Sequence, residues 1–136
     1  MAEIKISELS IGDWVNQKMN NGAYQVQWIE REMVGLIKHT GTEEDGSICL
    51  TAVPLSFIEP IPLTPEILEK NGLCVVEEDA DFSEYELFGS ENFSIFHIKG
   101  TLHYRLETPQ ASVVCWNVHQ LQHALRLAGV EKEIEV

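Results

Sequence analysis

Basic residues are scarce in this chain. Nine Lys and Arg stand against 22 Asp and Glu, which gives a formal net charge of −13. Residues 1–60 and 61–136 are both acidic, so neither half offers the basic stripe that phosphate backbones require. Direct nucleic-acid binding is therefore not expected. The acidity keeps a protein soluble and suits a basic protein partner. Long apolar runs are also missing: none approaches the ~20 residues a membrane span needs. Met1-Ala2-Glu3-Ile4-Lys5 has neither the basic flank nor the apolar stretch of a signal peptide. A cytoplasmic protein with no membrane segment is the expectation.

Reactive motifs are absent too. The three cysteines, Cys49, Cys74 and Cys115, lie far apart in apolar surroundings and form no Cys-x-x-Cys pair. That argues against a zinc knuckle or redox centre and for small buried hydrophobes. His119 follows Cys115 by four residues, but a cysteine in a strand core accounts for Cys115 better than a nucleophile does. No Gly-x-Ser-x-Gly elbow is present. Gly41-Thr42-Glu43-Glu44-Asp45-Gly46 has the wrong spacing for a phosphate loop, no lysine, and carboxylates that would repel phosphate. No catalytic residue and no cofactor are expected.

What remains is a well-punctuated pattern of strands and helices. At 136 residues and 44% hydrophobic content, the chain can build one domain or two very small ones. Strands are predicted at Trp14–Lys18, Ala23–Ile29, Met33–Lys38 and Ile48–Val53. Asn20-Asn21-Gly22 supplies a tight turn, and Thr40–Ser47 reads as a solvated loop. In the second strand Tyr24, Val26 and Trp28 alternate onto one face. Three prolines between Pro54 and Pro62 permit only a turn and a brief edge strand near Phe57–Glu59. Five short strands with a turn before the last suggest a small SH3-like β-barrel over residues 1–62.

Thr64 to Gly72 spells out a short helix over 65–71: Thr64 caps, Pro65 fits the first position, Lys70 suits the end and Gly72 terminates. Antiparallel strands then occupy 73–116, at Leu73–Glu78, Tyr85–Phe88, Phe93–Ile98, Thr101–Glu107 and Ser112–Trp116, with Asp79–Ser83 an exposed acidic loop. A final helix spans 118–128, capped by Asn117 with Gln120 and closed by Gly129. Val118, Leu121, Leu125 and Ala128 form its core stripe. The fold class is α+β: a barrel subdomain over 1–62 and an α+β subdomain over 63–136, packed as one compact unit.

His119 and His123 sit four apart on one helix face, the spacing used by zinc peptidases. Those enzymes need Glu directly after the first His, and Gln120 cannot take up a proton there. A third ligand would have to be His97 or His103. No metal is expected, with His119 and His123 as the weak candidates. Glu77, Glu78, Asp79, Asp81, Glu84 and Glu86 form the densest acidic stretch, read as a solvated loop in preference to a DNA-mimicking surface. Tyr24, Trp28 and Trp14 fit barrel packing better than a peptide groove. The binding surface predicted from sequence is Trp116, His119 and Gln120.

Three blocks carry a resemblance across the chain. They are Ile6-Ser7-Glu8-Leu9-Ser10-Ile11-Gly12-Asp13-Trp14-Val15, Ile58-Glu59-Pro60-Ile61-Pro62-Leu63-Thr64-Pro65-Glu66-Ile67-Leu68-Glu69-Lys70-Asn71-Gly72, and Val118-His119-Gln120-Leu121-Gln122. The chain resembles a group of small uncharacterised proteins of gut anaerobic bacteria, their phages and mobile elements. The resemblance implies no activity, cofactor or catalytic residue, and it suggests an accessory or host-interaction role. His123 departs from the family pattern, which has Asn or another polar residue there, and this counts further against a two-histidine metal site. The expected function is a non-enzymatic protein-binding module. The alternatives are a metal-dependent hydrolase using His119 and His123, and an acidic DNA mimic.

Overall fold

The computed structural model describes residues 4, 6–18, 22–39, 48–87 and 93–136. The chain divides into two compact units, Met1–Ile61 and Pro62–Val136. Each is built on its own five-stranded antiparallel sheet, with short helices, so the chain is α+β.

In the first unit β1 (Trp14–Gln17), β2 (Ala23–Glu30), β3 (Met33–His39) and β4 (Ile48–Pro54) form a meander. A 3-10 turn at Leu55–Phe57 then carries the chain to β5 (Ile58–Pro60). β5 pairs with β1, Val15 opposite Pro60, which gives the order β4-β3-β2-β1-β5. Among the described residues no ladder joins β4 to β5. The sheet is open, and the closed barrel expected for residues 1–62 is not seen. The predicted loop at Thr40–Ser47 and the Asn20-Asn21 part of the first turn lie outside the described residues.

The alternation on β2 is interrupted. A bulge between Val26 and Trp28 shifts the register from Val26 opposite Leu36 to Trp28 opposite Gly35. The indole of Trp28 lies directly over Gly35, where any Cβ would collide with its ring. Only glycine fits beneath it. The apolar core combines Val15, Tyr24, Val26, Val34, Leu36, Val53 and Ile58 with Ile4 and Leu9. The turn before β1 is fastened to β2 on both sides of Val26. The Gly12 N–H donates to the Val26 carbonyl (2.7 Å), and the Val26 N–H donates to the Asp13 carbonyl (2.8 Å).

The second unit begins with α1 (Pro65–Lys70), whose cap forms as the sequence predicts: the Thr64 hydroxyl accepts from the Ile67 N–H at 3.2 Å. Gly72 follows with φ +84°, the left-handed turn that frees the chain into β6. The sheet is a pure meander of β6 (Leu73–Glu78), β7 (Phe82–Leu87), β8 (Ser94–Ile98), β9 (Tyr104–Glu107) and β10 (Ser112–Cys115). β7 begins inside the predicted acidic loop, at Phe82. There the Asp79 carboxylate accepts the N–H groups of Asp81 and Phe82 and tightens the turn.

One face of this sheet carries the buried Tyr85, Ile95, Leu106, Tyr104 and Cys115. The other carries Phe82, Glu84, Glu86, Phe96, Ile98, Arg105 and Val114, following the register Glu84–Phe96–Arg105–Val114. α2 (Val118–Leu127) lies against β10, and α1 against β6. The predicted stripe Val118, Leu121 and Leu125 is buried, whereas Ala128 is exposed because it stands at the helix's C-cap. His119, Gln122 and Ala124 take the remaining buried positions. Among the described residues no helix is long and apolar enough to cross a membrane.

Candidate functional site

The junction of β10 and α2 concentrates the residues singled out in the sequence. Asn117 stands at the N-cap in an extended conformation, and the Asn117–Gln120 capping box forms. The Gln120 side-chain carbonyl accepts from the N–H of Trp116 (2.8 Å) and of Asn117 (3.2 Å). On the other side the Trp116 carbonyl accepts the Leu63 N–H at 3.1 Å, and Pro62 bridges to Asn117. The main chain of Trp116 is thus held at both its N–H and its C=O. Its side chain is not buried by this arrangement: Trp116 remains 49% exposed. The indole meets the ring of His103 at 5.0 Å and a tilt of 56°. Val114 on the edge strand is 50% exposed and Leu102, next to His103 in sequence, is 81% exposed.

The three residues predicted as a binding surface are therefore neighbours in sequence with different placements. Trp116 is displayed. Gln120 is partly buried, with its acceptor spent on the helix start. His119 is 1% exposed and belongs to the inner side of the helix. Sequence reading named His103 only as a spare metal ligand and missed its contact with Trp116. No spacing in the sequence carries that contact; it follows from the pairing that sets Tyr104 opposite Cys115.

The His119 and His123 rings meet edge to face at 6.0 Å. His97 and His103 are occupied elsewhere. His97 stacks on Tyr104 at 4.4 Å with its Nε2 3.0 Å from the Thr101 carbonyl, and His103 packs on Trp116. Among the described residues no group of three or more His, Cys, Asp or Glu side chains is placed to hold a metal ion.

Burial also governs the nucleophile candidates. Cys115 is fully buried, and burial pushes its thiol up to about 11, so the sulfur stays protonated at neutral pH and cannot attack. Burial likewise pushes the Tyr104 phenol up to about 12, with nearby Tyr85 and Glu66 adding to the shift. Cys74, by contrast, is exposed.

The acidic stretch is divided by the fold. Lys99 approaches Glu78 at 2.9 Å and holds its carboxyl below the usual range. Asp79 is spent on its own turn. Glu84 faces Glu77 across the β6–β7 ladder on the open face. Partial burial, with Glu86 close by, raises its carboxyl above the ordinary value. These carboxylates are thus employed differently: Glu78 pairs with Lys99, Asp79 holds its own turn, and Glu84 faces Glu77.

Compared with known proteins, the chain matches no family model, no curated protein and no solved structure.

Proposed function

We propose that this chain is a non-enzymatic protein-binding module of the accessory type carried by phages and mobile elements, acting in the cytoplasm through the surface around Trp116. The observation that carries the reading is the fixed main chain beneath a half-exposed tryptophan. A large aromatic side chain on an already ordered backbone contributes contact area with little further loss of entropy. Tryptophan is also among the residues that dominate interface energetics. The His103 ring packs beside the indole, and the net charge of −13 favours a basic partner.

The SH3-like reading of the first unit belongs to this proposal. The order β4-β3-β2-β1-β5 and the 3-10 turn before β5 support it.

The test is an affinity capture from host lysate run in parallel on the wild type and on Trp116→Ala. A partner retained by the wild type should bind the variant at least ~30-fold more weakly, as for a truncated hot-spot residue. Circular dichroism should show the variant folded, since the side chain removed is half-exposed. Equal capture by both forms, or no stoichiometric partner for either, would overturn the reading.

A further inference from the structure

After α2 the chain turns at Gly129 (φ +79°), and the Val130 N–H bonds back to the Leu125 carbonyl at 2.9 Å. Residues 131–136 then run as a strap with no helix or strand of their own. Two side-chain carboxamides hold this strap by its main chain. Gln122 donates to the Lys132 carbonyl (2.8 Å) and accepts from the Ile134 N–H (2.6 Å). It therefore brackets Glu133 as the next strand of a sheet would. Asn71 donates to the Glu135 carbonyl (2.8 Å) and accepts from the Glu135 N–H (2.7 Å), the two-bond exchange of an antiparallel pair. A further N–H of Asn71 donates to Ile67 and ties the amide to α1 (2.7 Å). Both amides are almost fully buried, and Ile134 between them is 2% exposed. Glu133 and Glu135 point outward, so the strap alternates as a strand does.

Four of these hydrogen bonds join a carboxamide to the strap's main chain, and one aliphatic side chain fills a seat. The set is independent of whether the strap belongs to the same molecule. We propose that the groove formed by Asn71, Gln122 and the Ile134 seat is a strand-accepting site that takes the Glu131–Val136 strap of a second copy of this chain, giving a strap-exchanged dimer. Exchange reproduces the four carboxamide bonds and the Ile134 seat, so the strap itself loses nothing in the exchanged form. Exchange pivots at Gly129, where the Gly129 N–H to Arg126 carbonyl bond (3.0 Å) and the Val130 N–H to Leu125 carbonyl bond (2.9 Å) are what release of the strap must loosen. Two copies of charge −13 repel, so the exchanged form gains on the monomer as salt screens them.

The experiment uses two full-length variants. Ile134→Asp keeps the groove but cannot seat its own strap. Asn71→Ala combined with Gln122→Ala keeps the strap but has lost the groove. Each alone should sediment as a monomer, and an equimolar mixture should form a heterodimer whose population rises with salt. If the double variant fails to fold by circular dichroism, a labelled peptide of residues 130–136 replaces it. The peptide should bind Ile134→Asp at least ~10-fold more tightly than it binds the wild type, whose own strap competes at high effective concentration. Monomers throughout in the folded mixture would overturn the proposal. So would a folded Ile134→Asp protein that leaves the peptide unbound, or equal peptide affinity for wild type and variant.

Discussion

The two units share a five-stranded antiparallel sheet and stabilise it by different means. The first draws its core from strand and turn side chains, Val15, Tyr24, Val26, Val34, Leu36, Val53 and Ile58 among them, with no α-helix among its described residues. The second adds two helices and buries several polar side chains, Asn71, Ser83, Asn117, His119 and Gln122. Three of these serve the places where the chain leaves its regular elements: Asn117 caps α2, and Asn71 and Gln122 receive the strap. The first unit also buries Asp13 and Gln17, so what separates the second is not polar burial itself but amides that stand in for a missing strand. That solution is costly to disturb, because a buried partner left behind loses its hydrogen bond.

The largest expected effect sharpens this comparison at the core of the first unit. Leu36→Ala removes a fully buried side chain and should destabilise by about 2–5 kcal/mol. Urea unfolding measures the loss, and hydrogen exchange should place it in residues 14–60; equal loss of protection in both units would break the contrast. Gly35→Ala comes next, at about 1–3 kcal/mol, because the new methyl must displace the Trp28 ring. A shifted indole emission spectrum should accompany the lower midpoint.

In the second unit Gln120→Ala removes the acceptor of two N–H groups at the start of α2 and should cost about 1 kcal/mol. Thermal unfolding checks this, with Gln120→Glu expected to retain most of the stability. The smallest effect belongs to Glu84→Gln. The folded-state carboxyl is raised, so the folded form binds its proton more readily than the unfolded form does. Its contribution is present at low pH and is lost as pH rises through the folded value. Above that window the variant should be the more stable by no more than about 0.5 kcal/mol, and below it the two should match.

Local structure was legible wherever a short-range rule decides it. Thr64, Pro65 and Gly72 fixed α1, and Asn117, Gln120 and Gly129 fixed α2, because caps act within a few residues of the bonds they satisfy. Most strands follow from alternation and turn residues, but β7 begins at Phe82 rather than at the expected Tyr85, and β9 at Tyr104 rather than at the expected Thr101. The bulge at Val26–Trp28 was not legible, since it depends on Gly35 from a neighbouring strand accommodating the indole. Closure of the first sheet was not legible either, because strand order is a property of pairings rather than of the strands. At the site, Trp116 was singled out by its place before the helix cap, and the structure leaves it 49% exposed. Its contact with His103 spans two strands and leaves no trace in spacing. The strap was missed because Gln122 and Asn71 read as ordinary polar residues of a helix face and a helix end. The signal present was their position beside Leu121 and Leu68, on the apolar side of each helix.

The position of β5 beside β1 has a consequence for the order in which the first unit assembles. Every pairing in the second sheet joins consecutive strands, so each register forms by closing a short hairpin. In the first sheet Val15 must find Pro60 across the whole intervening meander. Closing so long a loop carries the larger entropic cost and follows once β2, β3 and β4 have shortened the effective distance. The β1–β5 ladder is therefore expected to be the last register of its sheet to close, and pulse-labelled hydrogen exchange should show β1 and β5 gaining protection after β2 and β3.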